Sequence, residues 1–256
     1  MRRSATRPRS STHGDRSGSA SCAPSGTSSR ATGTSAPEQP GAAARRRSLG
    51  ILGGTFNPPH LGHLELARHA REELGLDRVL LVPAHTPTHK EAEGDPGPQH
   101  RMRMAGLLVA GDPGLDACSM EIERGGPSYT VDTLDAIHAG QPDAELTFIV
   151  GADAASTLGA WREPGRLLEL ADLAVARRAG ATEDGLRETI ARLASGSGSG
   201  RQPRLRFLDM PLVEISSSEA RGRASRGDPI EDLVGPAVAG YIAEHGLYRE
   251  PTEASA

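Results

Sequence analysis

The chain has 256 residues and carries 29 Lys and Arg against 33 Asp and Glu, a formal net charge of −4. No stretch approaches the roughly 18 consecutive apolar residues that a membrane-spanning helix needs. The two cysteines, Cys22 and Cys118, are too few to build a disulfide framework. Together these features argue against membrane proteins and disulfide-rich secreted proteins, and they predict a cytoplasmic protein.

The first 47 residues differ in composition from the rest of the chain. They are rich in Ser, Gly, Ala, Pro, Thr and Arg, show no apolar periodicity, and carry nine Arg against Asp15 and Glu38. Such a segment cannot bury a core, so we predict a disordered tail over residues 1–47, one domain over 48–250 and a disordered end over 251–256. The tail's net charge of +7 leaves −11 for the remainder. Because the domain is acidic, nucleic acid is not expected as a partner, and the lack of a long apolar stretch argues against a membrane. Contact of the basic tail with nucleic acid or an anionic surface is the alternative.

From Ser48 onward, short apolar runs alternate with helical patterns. Continuous apolar strands separated by crossover helices predict a Rossmann-like, doubly wound parallel sheet with helices on both faces, in a single domain. The run of Ser and Gly over residues 195–202 predicts a surface loop. The predicted strands are Leu49 to Leu52, Arg78 to Val82, Leu115 to Ser119, Leu146 to Val150, Leu173 to Ala176 and Leu205 to Leu208. The predicted helices are Leu61 to Leu74, Gln99 to Ala110, Ser128 to Ala139, Ala152 to Leu158, Arg162 to Leu170 and Asp184 to Ala194.

Several residues at helix ends support these boundaries. Gly75, Gly111 and Gly140 follow the first three predicted helices, where glycine commonly ends a helix. Ser128 stands where it can cap the third helix. In a doubly wound sheet, ligands bind beyond the carboxyl ends of the strands, so the residues that follow the first, fourth and fifth strands are expected to meet at one edge.

The segment G-G-T-F-N-P-P-H-L-G-H, residues 53–63, directly follows the first predicted strand. The unpaired N–H groups and the dipole at a helix N-terminus favour an anion such as phosphate. His60 and His63 are three residues apart, so both lie on the first turn, where their imidazoles could donate to one phosphate group. A solvated helix face is the alternative explanation of this histidine pair.

A second candidate phosphate site is the segment I-S-S-S-E-A-R, residues 215–221. Its hydroxyls precede a short helix, and Arg221 is expected on the first turn of that helix, on the same face as the serines. Hydroxyls, helix N–H groups and a guanidinium together suit phosphate. Ordinary N-capping by the serines is the alternative explanation.

These two segments resemble the motifs of a nucleotidyltransferase family. The first is similar to G-G-T-F-D-P-x-H-x-G-H, with Asn57 where Asp is commoner, and the second to I-S-S-T-x-I-R, with Ser218 for Thr and Ala220 for Ile. The resemblance extends from Ser48 to Tyr248. Within the superfamily, the intermediate segments look most like the nicotinate-nucleotide adenylyltransferases. Those segments are residues 87–90, 127–134 and 148–153, Trp161, residues 178–180, where Arg-Ala-Gly replaces the usual Arg-Pro-Gly, and residues 245–248.

The resemblance implies adenylyl transfer from ATP to nicotinate mononucleotide in NAD biosynthesis. The 5′-phosphate of the mononucleotide would attack the α-phosphorus of ATP in line and expel pyrophosphate, with no covalent intermediate. Such a site must align two anions and stabilise developing charge, which fixed donors and a divalent cation can do. Mg²⁺ is expected to enter with ATP. The sequence leaves both a monomer and a homo-oligomer open.

The resemblance also implies which residues bind ATP. His60, His63 and Arg221 are expected to be catalytic, with His63 the first choice for stabilising the transition state. Asp153 is expected on the ribose or adenine side, and an N-cap is its alternative role. The implied ATP-binding residues are Gly53, Gly54, Thr55, Phe56, Asn57, His60, His63, Gly151, Asp153, Ser216, Ser217, Ser218 and Arg221.

The acceptor would be held by a second set of residues. The turn at Ser128 would offer N–H groups to the nicotinate carboxylate. Trp161 would stack on the pyridine ring, with core packing as the alternative. Lys90 would supply a second cation unless it is merely solvated, and Arg178 would contact the carboxylate or the phosphate. The implied substrate-binding residues are Lys90, Ser128, Tyr129, Thr130, Trp161 and Arg178.

Three other functions stay open on the sequence. Adenylyltransferases for nicotinamide mononucleotide or for phosphopantetheine share the phosphate motifs. The histidine pair could serve a metal-dependent hydrolase, although no cluster of Cys, Asp or Glu nearby supplies further ligands. A catalytically silent nucleotide-binding protein is the third, and the intact His60, His63 and Arg221 argue against it.

Overall fold

Six parallel β-strands form the centre of the fold in the computed structural model, which describes residues 46–88, 94–177, 183–196, 201–209 and 215–249. The strand order is β3-β2-β1-β4-β5-β6, so the order reverses between β1 and β4. This topology confirms the predicted Rossmann-like, doubly wound parallel sheet. The strands are β1 (Ser48–Gly54), β2 (Arg78–Pro83), β3 (Leu115–Ala117), β4 (Glu145–Gly151), β5 (Ala171–Ala176) and β6 (Leu205–Leu208).

Helices cover both faces of this sheet. In the described ranges they are α1 (Leu61–Leu74), α2 (Pro98–Val109), α3 (Met120–Arg124), α4 (Thr130–Gly140), α5 (Ala152–Ser156), α6 (Pro164–Leu170), α7 (Glu183–Ser195), α8 (Ser217–Arg226), α9 (Glu231–Val234) and α10 (Pro236–Glu244). A 3-10 turn, Leu158–Ala160, follows α5. Buried residues of α1, α2 and α8 to α10 form one core, and those of α4 to α7 form the other.

The central strand β1 belongs to both cores. Leu49 and Ile51 point into one core and Leu52 into the other, as expected for a parallel strand covered on both faces. Between them lies Gly50, where an added Cβ would come within 2.8 Å of the side chains of Leu76 and Val79. The close packing of β1 therefore leaves no space for a side chain at position 50.

The predicted boundaries agree with the structure to within two residues for the six strands and for the six predicted helices. Gly75 ends α1 in the left-handed conformation, as predicted. The predicted ends at Gly111 and Gly140 are wrong, because Ala110 follows α2 directly and Gly140 is still helical. The predicted N-cap of α4 is also wrong. That cap is Tyr129, and the Ser128 hydroxyl instead accepts a hydrogen bond from the His85 N–H at 2.9 Å.

The predicted disordered ends lie almost wholly outside the described residues, which begin at Arg46. The carbonyl oxygen of Arg47 accepts a hydrogen bond from the Glu145 N–H at 2.8 Å, so the chain contacts β4 just before β1 begins. Residues 197–200 of the predicted Ser/Gly loop also lie outside the described ranges. Over the parts of the chain that are described, no helix combines the length and the apolar character that crossing a membrane requires.

Candidate active site

The connection from β1 to α1, residues 53–60, is here called the phosphate turn after the ligand that its sequence predicts. Phe56 has a positive φ of 53° and its ring is buried at 2% exposure. A Cβ at Gly54 would come within 3.1 to 3.3 Å of that ring, so glycine lets Phe56 fold back beneath the turn. α1 is 14 residues long and carries no acidic residue in its first turn. The N-terminal end of α1 therefore keeps the positive potential that favours an anion.

His60 and His63 lie together at this helix start, as the sequence predicts. His60 is the N-cap residue of α1, and the centroids of the two rings are 3.7 Å apart with an angle of 31° between the planes. Phe56 meets His63 edge-on, with centroids 4.9 Å apart. The buried phenyl ring thus supports the histidine pair from the core side.

The protonation state of His63 follows from its contacts. Its Nδ1 accepts a hydrogen bond from the His60 backbone N–H at 3.2 Å, so the proton of the neutral ring resides on Nε2. Desolvation, and then repulsion from His60, lower the pKa of His63 well below its usual value of 6.5. At neutral pH, His63 is therefore a neutral imidazole with an Nε2–H donor.

The second motif packs directly against the phosphate turn. The Ser217 hydroxyl donates to the Pro58 carbonyl oxygen at 2.8 Å, and Arg221 Nη1 donates to the Asn57 carbonyl oxygen at 2.8 Å. Arg221 Nη2 also donates to Ser218 Oγ at 3.2 Å. Two segments about 160 residues apart in sequence are therefore joined by side-chain hydrogen bonds.

The start of α8 agrees with the sequence expectation in part. Ser216 is the N-cap, and its hydroxyl accepts from the Glu219 N–H at 3.1 Å, as the capping alternative proposes. Arg221 is the fifth residue of α8 and lies on the second turn rather than on the first as predicted. Its long side chain reaches back past Ser218, so the guanidinium still lies beside the phosphate turn.

Asn57 is buried at 5% exposure, and its side chain contacts the last described segment of the chain. Its Oδ1 accepts a hydrogen bond from the Tyr248 hydroxyl at 2.8 Å. Burial raises the pKa of Tyr248, with Asp95 as a second cause, so the phenol stays protonated as a donor. The carboxyl-terminal segment thus fixes the residue at which this chain departs from the family motif.

Across the sheet edge, residues 127–130 form a second turn, here called the acceptor turn. It pairs with the loop after β2, residues 84–88, here called the β2 loop. The Ser128 N–H donates to the Thr86 carbonyl oxygen at 3.0 Å, and the Thr88 hydroxyl lies 3.4 Å from the Ser128 carbonyl oxygen. Because its side chain and backbone are both hydrogen-bonded, Ser128 fixes the turn. Tyr129 and Thr130 stand at the start of α4, where backbone N–H groups have no partner within the helix.

A buried carboxyl group that no sequence pattern indicates lies beneath the acceptor turn. Glu121 on α3 is 6% exposed and accepts from the Thr133 hydroxyl at 2.5 Å. Burial raises the pKa of Glu121, and hydrogen bonds from Ser128 and Thr133 oppose that rise. Its position before the S-Y-T turn carries no periodic or motif signal, so only its burial and its hydrogen bond with Thr133 of α4 identify it.

Trp161 lies after the 3-10 turn and packs against the core beneath β4. Its ring meets Phe148 edge-on with centroids 5.8 Å apart, and its Nε1–H donates to Thr157 Oγ1 at 3.1 Å. The neighbouring Arg162 lies over the Tyr129 ring, 4.7 Å from its centroid. Trp161 therefore packs in part on the core, the alternative named above, while it keeps a partly exposed surface near the acceptor turn.

Gly151 and Asp153 follow β4 at the same edge of the sheet. Gly151 is the N-cap of α5, so Asp153 does not cap this helix and stands instead at its second position, exposed to solvent. β1 and β4 are neighbours, so Asp153 lies on the β4 side of the edge at which the phosphate turn begins. This placement is compatible with its predicted ribose or adenine contact.

Two of the predicted binding residues, Lys90 and Arg178, lie outside the described ranges. Each belongs to a segment that follows a strand at the ligand edge, after β2 and after β5. Gly94, four residues after Lys90, lies near the second motif, because an added Cβ there would be 4.0 Å from Arg221 Cδ.

Arg101, which none of the sequence motifs includes, has a completely buried side chain. Its position was readable as a signal, because it stands on the apolar face of α2 with Met104, Ala105 and Leu108. An arginine at such a position is seldom buried without a set of acceptors to receive its N–H groups.

Known proteins resemble this chain over most of its length. The family described as cytidylyltransferase-like matches residues 51–223. A probable nicotinate-nucleotide adenylyltransferase from Thermomicrobium roseum is 41% identical over 201 residues, which cover 78% of this chain and 91% of the relative. A protein of the same description from Roseiflexus sp. is 42% identical over 203 residues, which cover 78% of this chain and 98% of the relative.

Solved structures share the fold. The nicotinic acid mononucleotide adenylyltransferase of Plasmodium falciparum complexed with NaAD superimposes with a TM-score of 0.62 at 20% identity, covering 79% of this chain and 97% of the other. The same protein complexed with APC gives a TM-score of 0.59 at 18% identity, with the same coverage. At such low identity the likeness concerns the arrangement of the strands and helices.

Proposed function

Because the chain belongs to the nicotinate-nucleotide adenylyltransferases within the cytidylyltransferase-like family, we propose that it transfers AMP from ATP to nicotinate mononucleotide. The products are deamido-NAD and pyrophosphate, and the reaction is a step of NAD biosynthesis. A phosphate oxygen is already nucleophilic at neutral pH, so the site needs neither a covalent intermediate nor a strong general base.

One observation supports this proposal more than any other. The Ser217 hydroxyl and the Arg221 guanidinium bind the backbone carbonyls of Pro58 and Asn57, directly beside the histidine pair. One edge of the sheet, where the strand order reverses between β1 and β4, therefore carries helix N–H groups, two imidazoles and a guanidinium close together. This is a set of donors suited to a polyphosphate, within a domain whose net charge is negative.

On the donor side, we propose that the phosphate turn binds ATP through backbone N–H groups at Gly53 to Thr55. His63 Nε2–H would donate to an α-phosphoryl oxygen as charge develops there, and His60 would assist from its stacked position. Arg221 would hold the leaving pyrophosphate with the Ser218 hydroxyl, and Ser217 would join them by exchanging its hydrogen bond to the Pro58 carbonyl oxygen for one to phosphate. Asp153 would contact the ribose or adenine.

On the acceptor side, we propose that the N–H groups of Tyr129 and Thr130 bind the nicotinate carboxylate. They lie at a helix start held in place by Ser128, which favours an anion over the neutral amide of a nicotinamide ring. Trp161 would cover the pyridine ring with its exposed side. Lys90 and Arg178 stay proposed contacts of the acceptor from the segments outside the described ranges.

We propose that Mg²⁺ enters bound to ATP. Phosphate oxygens and water would ligate the cation. Among the described residues, no group of three or more His, Cys, Asp or Glu side chains could hold a metal ion. When bound, Mg²⁺ would neutralise charge on the phosphates. The side chains of this protein would then align the two anions and donate to their oxygens.

The test is pyrophosphate release from ATP with Mg²⁺, measured in parallel with nicotinate mononucleotide, nicotinamide mononucleotide and phosphopantetheine. We expect strong preference for nicotinate mononucleotide and a loss of about a hundredfold or more in kcat on His63→Ala, since a donor to the transition state is removed. His69→Ala is the matched control, because His69 lies on the same helix and pairs with Glu73 at 3.0 Å.

The other outcomes would each replace the proposal. Preference for phosphopantetheine would assign the enzyme to coenzyme A synthesis, and equal use of both pyridine nucleotides would remove the role of the acceptor turn in selecting a carboxylate. If activity is lost on metal removal and then restored by zinc but not by Mg²⁺, the protein is a metal-dependent hydrolase. No turnover with any acceptor would indicate a nucleotide-binding protein without catalysis.

A further inference from the structure

Arg101 is the largest fully buried side chain among the described residues, with 0% of its surface exposed. A guanidinium keeps its charge at any physiological pH, so burying it carries a large desolvation cost. A well-packed hydrocarbon side chain is often no less stabilising at such a site. Core stability alone therefore does not account for an arginine here.

The contacts of Arg101 join two loops that differ in proposed function. Nη1 donates to the carbonyl oxygen of Thr55, in the phosphate turn, at 2.9 Å and also to that of Ala84. Nη2 donates to the His85 carbonyl oxygen at 2.8 Å, and Nε donates to Asp95 Oδ1 at 2.8 Å. Four of its five N–H donors are thus used, three of them on backbone carbonyls at the carboxyl ends of β1 and β2.

These contacts begin where the sheet itself stops. The β1–β2 pairing reaches Gly54 opposite Pro83, and the Ala84 N–H makes a last hydrogen bond to the Gly54 carbonyl oxygen at 2.9 Å. Beyond that point the segments that follow β1 and β2 are no longer paired by backbone hydrogen bonds, and the Arg101 guanidinium joins them instead. One side chain continues the connection that backbone hydrogen bonds make within the sheet.

The β2 loop carries the connection on to the acceptor turn. The His85 N–H donates to Ser128 Oγ at 2.9 Å, while its carbonyl oxygen accepts from Arg101. Thr86 pairs with Pro127 in an isolated parallel bridge. A continuous path of short hydrogen bonds therefore runs from Thr55 through Arg101 and His85 to Ser128.

We propose that Arg101 is a positioning residue that fixes the spacing between the phosphate turn and the acceptor turn. In this inference, which rests on the proposed adenylyl transfer, the spacing sets how well the acceptor phosphate lines up with the α-phosphorus of ATP. Arg101 binds backbone carbonyls of the phosphate turn and of the β2 loop, so it does not compete for the N–H groups that the phosphate turn offers to a ligand. Alignment acts on the chemical step, whereas each substrate keeps its own contacts.

The test is a comparison of kcat and KM for Arg101→Lys, Arg101→Met and the control Arg103→Lys. Lysine keeps the charge but cannot span three carbonyls and a carboxylate, and Arg103 is exposed two residues away on the same helix. For Arg101→Lys we expect kcat to fall by about 10- to 100-fold, with each KM changed by less than about threefold. Arg103→Lys should leave both constants unchanged.

Thermal unfolding of each variant separates positioning from folding. If Arg101→Met does not fold, Arg101→Lys carries the test alone. Two results for Arg101→Lys would overturn the proposal. A kcat within about threefold of wild type would mean that the spacing between the two turns does not depend on Arg101. Both KM values raised about tenfold would mean that the substitution damages the binding of each substrate instead of their alignment. If the wild type prefers another acceptor, the proposed function fails, and the same comparison with that acceptor still decides the role of Arg101.

Discussion

His63 illustrates how a single contact selects the chemistry of a residue. Because its Nδ1 accepts the His60 backbone N–H, only Nε2 is left to carry the proton and face a ligand. Burial keeps the ring neutral at neutral pH. The residue is therefore a hydrogen-bond donor that needs no change of protonation before ATP binds.

The lowered pKa of His63 predicts how stability depends on pH. Below about pH 6.5 the unfolded chain binds a proton at His63 that the native ring resists, so the free energy of unfolding should fall as the pH is lowered through that range, by up to roughly 1.4 kcal/mol per unit of pKa shift. Urea unfolding at about pH 7 and about pH 5 should show a smaller acid loss in His63→Gln than in wild type. His69→Gln, on the same helix, is the control, and an equal acid loss in both variants would contradict the prediction.

The contacts of Asn57 indicate that Asp, the residue that the family motif has at this position, would be tolerated. An Asp carboxylate at this position can accept the same hydrogen bond from Tyr248, with the Arg221 guanidinium close by. We therefore expect kcat/KM of Asn57→Asp to stay within about tenfold of wild type, as steady-state kinetics would measure. An increase of tenfold or more, about 1.4 kcal/mol of transition-state stabilisation, would mean that a negative charge here takes part in catalysis.

At the scale of elements, two adjacent hydroxyls at the start of α8 have different roles. Ser216 caps the helix through the Glu219 N–H, and Ser217 binds the Pro58 carbonyl oxygen. The capping explanation and the phosphate-site explanation of this segment therefore concern different serines. Because Ser216 caps α8, Ser217 is free to contact the phosphate turn, and Arg221 also reaches that turn.

This division predicts a stability effect at Ser216. Ser216→Ala removes the cap, and we expect it to lower the free energy of unfolding by about 1 kcal/mol. Ser225→Ala on the same helix is the control, since its hydroxyl only bonds back to the Gly222 carbonyl oxygen, and a change below about 0.5 kcal/mol is expected there. Chemical denaturation measures both, and equal effects would mean that the cap contributes nothing of its own.

At the scale of the whole molecule, β1 is the element on which both cores and the site depend. It pairs with β2 and β4, packs on both faces, and ends in the phosphate turn. Any displacement of β1 would move the His60–His63 pair relative to the acceptor turn. The dense packing around Gly50 is therefore a condition for the geometry of the site as well as for stability.

Two identical substitutions test this role of β1. Gly50→Ala would bring a methyl group within 2.8 to 2.9 Å of Leu76, Val79 and Ile149, and we expect a loss of about 1 to 3 kcal/mol in the free energy of unfolding. Gly106→Ala on α2 meets nothing within 4 Å and should stabilise the protein by about 0.5 to 1 kcal/mol. Thermal or urea unfolding of both variants decides, and a neutral Gly50→Ala would show that the core can relax.

Much of the fold was readable from the sequence because it depends on local pattern. Apolar runs of strand length, amphipathic helices and the left-handed cap at Gly75 are properties of neighbouring residues, and they predict the elements of the sheet. The cap of α4 was not readable. Ser128 has the right residue type and position, but its hydroxyl bonds to His85, which lies 43 residues away in sequence.

The sequence by itself determined the sheet, the helix start that carries His60 and His63, and the second cluster of donors at Ser216 to Arg221. Only the tertiary structure decided how these parts are joined: Arg221 to Asn57, Tyr248 to Asn57, Glu121 beneath the acceptor turn and Arg101 between the two turns. The physical reason is that element formation follows from periodicity within a few residues, whereas a buried polar group is satisfied by whichever distant acceptors the packing brings within hydrogen-bond distance.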